Sequence, residues 1–485
     1  MGIMVYPHFL IPFREKMKKI ILLALVIILQ GIFSNSYSQL GNSNTYLLAN
    51  LNQHPAPGSA DYSALWGYRA PDGREYALLG CDSGTAFIDI TDSANIHEVD
   101  FVKGLVSDWR EMKTYSHYAY IVSEATNSRL QIVDLQYLPD SVHLVNNGWS
   151  FAGSYTKTHS IQQSGPYLFL HGGNVTSGGS NSGGLVIIDV TNPEAPVKRG
   201  SWSDEYVHDS RVIDDTIYAC NIYDPPGTIS VISATNKDAL TNVTSWVNNP
   251  NPFPHNCALT TDKKFIFTTD ETDTPNGKLK VWNIQDLQNI TYVTSWQPTN
   301  ITTAIVHNVE IYGDYAVIAH YSAGIRIVDI SNPTSPTEVA WYDTYPSNNN
   351  SSYNGCWGVY MFPSGKIIAS DRQTGLYVIK TSFPLTGIQG VNSEIPDNYS
   401  LSQNYPNPFN PVTKINFSIP KNSQTSLKIY DISGKQVATL FNDRRDAGSY
   451  EVTFEASRYG LSSGAYFYEL RSGDFIQTKK MILTK

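Results

Sequence analysis

One short phrase returns seven times along the chain, and this periodicity constrains the fold more than any other feature. Successive copies begin 44 to 55 residues apart, and most of them are an apolar run interrupted by Asp. The seven copies lie at 87–90, 132–135, 187–190, 231–234, 281–284, 327–330 and 377–380. A period in this range indicates a repeat architecture in which each unit is one small group of secondary-structure elements.

Each repeat unit contains short β-rich runs that are separated by Gly, Asn, Asp and Pro. In the sixth unit, strands are predicted at 306–312, 315–319, 325–330 and 338–342. Gly313 and Asp314, between the first two of these, are typical of a hairpin turn. Four short strands per unit around a central axis are characteristic of a β-propeller. We therefore predict an all-β chain, with a seven-bladed β-propeller at 40–385 and a small C-terminal β-sandwich.

The two ends of the repeat region complement each other. The seventh unit lacks residues for a fourth strand, whereas one surplus strand-like run, 45–51, precedes the first unit. A propeller removes its exposed sheet edge by closing its ring. We therefore predict that residues 45–51 pair with 376–380 and supply the outer strand of the last blade.

An Asp recurs at the end of the third strand in four units. Asp at such a position commonly accepts hydrogen bonds from the amides of the following turn. We therefore predict a structural role, rather than a metal-binding one, for Asp89, Asp134, Asp189 and Asp329.

The N-terminus has the pattern of a secretory signal peptide. Three lysines, Lys16, Lys18 and Lys19, precede an apolar run at 20–33, and a small-x-small site follows at 36–38. The apolar run is 14 residues long, whereas a membrane-spanning helix needs about 20. We predict that residues 1–38 are removed and that no transmembrane segment remains after cleavage.

The charge of the mature chain bears on its partners. The whole chain carries a formal charge of −9, and residues 1–38 contribute four basic residues and one acidic residue, so the mature chain carries −9 − 3 = −12. A strongly acidic protein is poorly suited to bind nucleic acid or an anionic membrane. The expected partner is therefore an extracellular protein or glycan of unknown identity, and no nucleic acid.

The chain has four cysteines, which allow three pairings in an oxidising compartment. Cys81 and Cys356 fall in the first and seventh units, and Cys220 and Cys257 in the fourth and fifth. Both pairs would be neighbours in a closed ring, which favours Cys81–Cys356 and Cys220–Cys257 bridges. The alternative is that all four are small buried hydrophobic residues.

The sequence changes character after the last repeat. Residues 386–399 lack clear periodicity and are predicted to be a linker. Beyond them, short strands are predicted at 413–419, 426–430, 450–454, 465–471 and 475–483. Several short strands in so few residues indicate a separate small β-sandwich at 400–485.

The repeats resemble a known family. The Ile-Arg-Ile-Val-Asp-Ile-Ser-Asn-Pro phrase at 325–333 and its six relatives are similar to LVIVD repeats. The fourth and seventh units depart most, because Ser233 and either Ile379 or Lys380 stand near the Asp position. With the module that follows them, the repeats resemble secreted bacterial proteins of the choice-of-anchor B type. This resemblance implies an extracellular propeller without an established chemistry.

The last module resembles the C-terminal sorting domain of the type IX (Por) secretion system. The similarity rests on the Asn-Tyr-Pro-Asn-Pro-Phe-Asn-Pro run at 404–411, the turn at 430–435, the strand at 464–468 and the basic tail at 479–481. It implies that residues 400–485 engage the type IX machinery. It also implies export through the periplasm and outer membrane, so that the protein is secreted or displayed on the cell surface.

Candidate site residues emerge when the units are aligned. At the start of the first strand every unit has Trp or His: Trp66, Trp109, His159, His208, His255, His307 and Trp357. The end of the second strand carries mainly polar groups, among them Glu124, Asp224, Asp270, Glu271, His320 and Asp371. Because these two strands are antiparallel, both sets are expected at one mouth of the central channel.

Two interpretations of this cluster remain open. In one, His159, His208, His255, His307 and His320 bind a divalent transition metal together with three carboxylates, Asp270, Glu271 and Asp371, since imidazole and carboxylate groups suit such ions. The remaining candidates, Trp66, Trp109, Trp357, Glu124 and Asp224, would then bind a ligand. In the other interpretation, the cluster is a hydrated structural ring.

Two functions follow from these interpretations, and no cofactor other than such a metal is expected. The first is a secreted scaffold that binds a ligand or partner. The alternative is a metal-dependent polysaccharide lyase or hydrolase that uses the cluster, with catalytic residues unknown.

Overall fold

A computed structural model shows a chain built almost wholly of β-strands. It describes residues 41–55, 61–152, 155–176, 183–223, 226–272, 277–299, 301–385, 388–392, 396, 398–421, 423–445 and 447–484. Within these residues there is no α-helix, and the one helical element is a 3₁₀ turn at Ala456–Tyr459. None of the described segments forms a helix long and apolar enough to cross a membrane. The prediction of an all-β fold is confirmed, and the predicted signal peptide at 1–38 lies outside the described residues.

The repeat region forms sheets of four strands in chain order. Two strands precede the first sheet, β1 (Asn42–Ser43) and β2 (Thr45–Leu51). Sheet 1 contains β3 (Tyr62–Arg69), β4 (Glu75–Cys81), β5 (Gly84–Asp89) and β6 (His97–Lys103). Sheet 2 contains β7 (Arg110–Tyr115), β8 (Tyr118–Ser123), β9 (Leu130–Asp134) and β10 (His143–Trp149). Sheet 3 contains β11 (Ser160–Ser164), β12 (Tyr167–His171), β13 (Leu185–Asp189) and β14 (Val197–Trp202).

The remaining repeat sheets follow the same order. Sheet 4 contains β15 (Asp209–Ile213), β16 (Thr216–Asn221), β17 (Thr228–Ser233) and β18 (Thr241–Val247). Sheet 5 contains β19 (Pro254–Leu259), β20 (Phe265–Asp270), β21 (Leu279–Asn283) and β22 (Thr291–Trp296). Sheet 6 contains β23 (Asn308–Tyr312), β24 (Tyr315–Ala319), β25 (Ile325–Asp329) and β26 (Thr337–Tyr342), to which β1 adds. Sheet 7 contains β27 (Cys356–Met361), β28 (Lys366–Asp371), β29 (Gly375–Thr381) and β2.

The first strands of these sheets contact one another in a cycle. The first strand of each sheet contacts the first strand of the next, in the order β3, β7, β11, β15, β19, β23 and β27, and β27 contacts β3. The middle strands are buried along their length, as every residue of β4, β5 and β8 shows. Burial on both faces explains why these strands are apolar without alternation. We call the end of the cycle at which the first strands begin the mouth.

Strand β2 completes sheet 7, as predicted. It pairs antiparallel with β29, with Thr45 opposite Thr381 and Leu51 opposite Leu376. The chain N-terminal to the first repeat thus supplies the outer strand of the last sheet. This arrangement covers an edge that would otherwise expose unpaired backbone groups.

The recurring Asp residues act as turn caps, as predicted. In each case the carboxylate accepts a hydrogen bond from the amide two residues later, at 2.8 or 2.9 Å. The four donors are the amides of Thr91, Gln136, Thr191 and Ser331. In sheet 5, Asn283 takes the same role through the amide of Gln285.

The two favoured disulfides are absent, because all four cysteines are free and buried. Cys81 packs within an apolar cluster of sheets 1 and 7. The backbone of Cys356 forms an isolated β-bridge with Tyr321 of sheet 6. Cys220 and Cys257 share one apolar cluster between sheets 4 and 5, where they pack as small hydrophobic residues.

The C-terminal region is a β-sandwich. One sheet contains β30 (Ile388–Asn392), β31 (Ser400–Leu401), β32 (Val412–Ile419) and β35 (Gly448–Glu455). The other contains β33 (Ser423–Tyr430), β34 (Gln436–Arg445), β36 (Gly464–Ser472) and β37 (Phe475–Leu483). Apolar residues from both sheets share one core.

Two features of this region differ from the expectation. Strand β34 was not predicted. Strand β30 lies inside the predicted linker, 386–399, and pairs with β35. The sandwich also contacts sheet 6, where the Arg458 guanidinium lies 2.7 Å from the Asp314 carboxylate and donates to the Tyr315 hydroxyl.

Candidate functional site

Four imidazoles form a continuous row at the mouth. The ring centroids of His159 and His208 are 3.9 Å apart, those of His208 and His255 are 4.5 Å apart, and those of His255 and His307 are 4.2 Å apart. Three of these residues directly precede β11, β15 and β23, and His255 is the second residue of β19. The row follows from the cycle of first strands, because each strand contacts the next and begins at the same end.

Two carboxylates and one phenol flank the row. Glu124 lies 2.8 Å from Nδ1 of His159. Glu271 lies 3.6 Å from Nε2 of both His255 and His307. The Tyr321 hydroxyl donates a 2.5 Å hydrogen bond to Glu271. The row is therefore bordered by acceptors that can orient the imidazoles or share a ligand with them.

Three side chains of this group can converge on one ion. One ligand atom each from His208, His255 and Glu271 lies within 4.8 Å of the others. Nδ1 of both histidines is buried and has no hydrogen-bond partner among the described residues. Two imidazoles and a carboxylate are a ligand set suited to zinc, manganese, iron or nickel.

The protonation of the row suits metal binding. Burial, reinforced by the neighbouring imidazoles, lowers the pKa of His208 and His255 well below the usual value. Burial also lowers the pKa of His307 to about 3. These imidazoles are therefore neutral at neutral pH, which is the form that binds metals. Burial raises the pKa of Glu271 to about 7, although the hydrogen bond from Tyr321 opposes the shift.

Two of the predicted tryptophans border the same mouth. Trp357 packs edge-on against His307, with ring centroids 4.9 Å apart, and its carbonyl lies 2.5 Å from Nδ1 of that histidine. Trp109 is 40% exposed. Both line a small cavity of about 30 Å³ together with the histidine row. The mouth thus combines imidazoles with exposed aromatic surface.

Trp66 does not join the mouth. Trp66 is the fifth residue of β3, whereas the four histidines lie at or just before the start of their strands. Ala64, nearer the start of β3, lines the small cavity at the mouth instead. Trp66 lies farther along the strand, where its ring packs against Tyr360 and beneath the ammonium group of Lys113.

Three other predicted ligands point elsewhere. Asp270 forms a 2.6 Å ion pair with the buried Lys280. Asp371 accepts hydrogen bonds from the amides of residues 373 and 374, so it caps a turn. His320 is buried against Trp296, and burial lowers its pKa to about 3. The remaining candidate, Asp224, lies outside the described residues.

One residue of the site, Tyr321, was not predicted from the sequence. A positional signal was available for it. The last residue of the second strand is Asp270 in sheet 5 and Asp371 in sheet 7, and neither faces the row. In sheets 2 and 5 the residue that follows this strand end reaches the mouth, as Glu124 and Glu271 do. In sheet 6 the second strand ends at Ala319, and Tyr321 lies two residues beyond it, next to the aligned His320. A shift of one residue in the alignment would therefore have found it.

Comparison with known proteins identifies two parts of the chain. The LVIVD repeat family matches residues 179–204 and 305–344. The secretion system C-terminal sorting domain matches residues 403–484. The chain therefore contains LVIVD repeats and ends in a type IX sorting domain. This domain marks the protein for export by the type IX machinery to the cell surface or the extracellular space.

Relatives of known activity or structure add little to this picture. No curated protein matches the chain. Among solved structures, a Lactobacillus plantarum protein is 10% identical, with a TM-score of 0.46, over 81% of this chain and 98% of its own. The periplasmic gluconolactonase PpgL of Pseudomonas aeruginosa is also 10% identical, with a TM-score of 0.47, over 81% of this chain and 99% of its own.

Proposed function

We propose that this protein is an exported seven-bladed β-propeller of the choice-of-anchor B type that binds an extracellular protein or glycan at its mouth. Seven sheets of four or five strands among the described residues of 42–381 and the closed cycle of their first strands support the blade count. The proposed domains are the propeller at 40–385 and the sorting domain at 400–485, and residues 1–38 are proposed to be a signal peptide. The binding function rests on the chemistry of the mouth.

A divalent transition metal forms part of this proposed site. The observation that carries the proposal is the convergence of His208, His255 and Glu271, whose ligand atoms lie within 4.8 Å of one another. Nε2 of His208 lies 2.9 Å from Nε2 of His159, whereas Nδ1 of both His208 and His255 is buried without a hydrogen-bond partner among the described residues, which is uncommon for buried polar atoms. A bound ion would neutralise the negative charge of Glu271 and would be coordinated by imidazole nitrogens of the row.

Aromatic surface beside the metal supplies the rest of the proposed site. Trp109 is 40% exposed and Tyr223 is 61% exposed, and the Tyr223 ring lies 6.0 Å from that of His208. Exposed aromatic rings present an apolar face and a polar edge, which suits both protein side chains and the faces of sugars. The metal would then fix a ligand oxygen while these rings pack against its apolar surface.

Metal content and thermal stability test this proposal. Metal analysis of the purified protein should find a transition metal, and added zinc, manganese or nickel should raise the melting temperature. The gain arises by mass action, because the folded state binds the ion and the unfolded state does not. A double variant, His208→Ala with His255→Ala, should lose this gain, whereas His97→Ala, on the exposed outer strand β6, should keep it. A melt that no metal or chelator alters would contradict the proposal.

A second function, a metal-dependent polysaccharide lyase or hydrolase, is favoured by the Tyr321–Glu271 hydrogen bond. Burial, with the charge of Glu271, raises the pKa of Tyr321 well above its usual value, so the hydroxyl stays protonated and holds Glu271 in place through its hydrogen bond. Incubation with acidic polysaccharides should then release shorter products. The Tyr321→Phe variant should abolish release while metal binding persists. If the variant is as active as the parent, Tyr321 takes no part in the reaction.

A further inference from the structure

A second cavity lies between sheets 1 and 2, beside the mouth. Its volume is about 290 Å³, and its lining includes Lys103, Arg110, Ser123, Arg129 and Gln131. One water molecule occupies about 30 Å³ in the liquid, so the space equals roughly ten waters. It can therefore hold one small molecule, and a longer one would have to extend through the opening.

Three polar atoms of this cavity lack partners. Ser123 Oγ, Gln131 Oε1 and Arg129 Nε are buried and make no hydrogen bond within the described part of the chain. Ser123 is 1% exposed and Gln131 is 4% exposed. Buried polar groups are almost always hydrogen-bonded, because leaving them unpaired is costly. Three such atoms around one cavity give it a lining that can bind a polar molecule.

The charge of the cavity is positive, and its arginines form no ion pair among the described residues. Arg110 is 2% exposed, and its guanidinium donates only to backbone carbonyls, those of Cys81, Asp82 and Leu105. Burial lowers its pKa to about 10, so the group remains protonated at neutral pH. Within the described residues neither Arg110 nor Arg129 has a carboxylate partner. Buried charges are normally paired, so an anion is the expected occupant.

The orientation of Gln131 adds a second requirement. Its amide nitrogen donates to the Lys103 carbonyl at 2.9 Å and to Asn147 Oδ1 at 2.7 Å. The amide oxygen is therefore the atom left unpaired, and it can only accept a hydrogen bond. A bare anion has no donor to offer it. The occupant must carry a hydroxyl or similar donor in addition to its negative charge.

We propose that this cavity binds a small hydroxylated carboxylate, of which a sugar acid is the representative class. The carboxylate would contact the guanidinium groups of Arg110 and Arg129, since guanidinium matches carboxylate geometry. A hydroxyl would donate to Gln131 Oε1, and another would bond Ser123 Oγ. The ligand could be a free sugar acid or the terminal residue of an acidic polysaccharide, because both present this chemistry.

Calorimetric titration of the full chain with glucuronate tests the proposal. Saturable binding is expected, whereas glucose, which lacks the carboxylate, and sulfate, which lacks the hydroxyls, should bind at least tenfold more weakly. The Arg129→Asn variant should weaken glucuronate binding at least tenfold. Arg129 has a φ of +51°, and Asn tolerates this left-handed conformation, so the variant should fold.

Two further variants separate the cavity from other effects. Ser123→Ala should weaken binding several-fold, whereas in an empty cavity this change should alter nothing but stability. Arg74→Asn removes an equal charge from the exposed, Asp72-paired arginine of sheet 1 and should leave the affinity unchanged. Unchanged affinity in Arg129→Asn, equal binding of glucose, or no saturable binding of glucuronate would overturn the proposal.

The source of the ligand is settled by the same titration. A uronate trisaccharide that binds more tightly than glucuronate supports recognition of a polysaccharide end, and equal affinities support a free sugar acid. The double variant of His208 and His255 should bind glucuronate normally, so this result is independent of the proposed metal site.

Discussion

Acid should destabilise the folded protein through protonation of the unfolded-state His171, and a substitution of this residue can separate the effect from that of other titrating groups. His171 ends β12 and is fully buried. Its two ring nitrogens each lie 2.9 Å from a serine hydroxyl, that of Ser160 and that of Ser210. Burial lowers its pKa to about 3, with smaller contributions from the charges of Lys113 and His159. The native fold therefore holds the neutral imidazole.

The size of the effect follows from the two pKa values. In the unfolded chain the pKa of His171 is about 6.5. The unfolded state therefore binds a proton more readily, so the stability that His171 contributes is complete above pH 6.5 and declines as the pH falls towards 3. At pH 5 the unfolded pKa lies about 1.5 units above the pH, and each unit corresponds to about 1.36 kcal/mol. The expected loss is thus about 2 kcal/mol relative to neutral pH.

Urea unfolding of the parent and of a His171→Gln variant measures this loss. Glutamine keeps one donor and one acceptor but does not titrate. Between pH 7.5 and pH 5 the parent should therefore lose about 2 kcal/mol of unfolding free energy relative to the variant. Buried carboxyls with a raised pKa, such as Glu271, change the stability in the opposite direction as the pH falls. They are present in both proteins, so their contributions cancel in the comparison. A His143→Gln control, at an exposed position of β10, should show no such shift. If the difference between parent and His171→Gln is the same at both pH values, the reasoning fails.

Three other outcomes are expected. Deleting residues 42–51 should lower the melting temperature and speed amide exchange in β29, because β29 loses its partner strand; unchanged exchange would contradict the closure. Asp329→Ala should lower the free energy of unfolding by about 1 kcal/mol in a denaturant titration, because the carboxylate accepts hydrogen bonds from both the amide and the hydroxyl of Ser331. If the variant is as stable as the parent, the cap does not stabilise the fold. Arg458→Ala breaks an exposed ion pair with Asp314 and should change the unfolding free energy by less than about 1 kcal/mol, as calorimetry can verify.

Local features of the fold could be predicted because their causes lie within a few residues. The second strand of the sixth unit was predicted at 315–319, its observed position, and the fourth differs by one residue. The turn-capping role of Asp329 depends only on the amide two residues later. The pairing of β2 with β29 was also predictable, because one surplus strand and one missing strand must match in a closed ring.

Features that depend on register were harder to predict. The aligned position of Trp66 does not match those of the histidines, because Trp66 is the fifth residue of β3 whereas the four histidines lie at or just before the start of their strands. Adjacent side chains of a strand point to opposite faces, and this separates Asp270 from Glu271, adjacent residues of which only the second reaches the histidine row. Strand β34 was missed because its sequence mixes apolar and charged residues without clear alternation.

The two proposed sites meet at one side chain. Arg110 lines both the small cavity at the mouth and the larger cavity between sheets 1 and 2. Trp109 precedes it in the chain and borders the histidine row. A polysaccharide end anchored by its carboxylate at Arg110 would therefore lead past Trp109 towards His208 and His255. On this argument a uronate oligosaccharide long enough to span both sites should bind more tightly when the metal is present, whereas glucuronate, confined to the larger cavity, should bind equally with and without it.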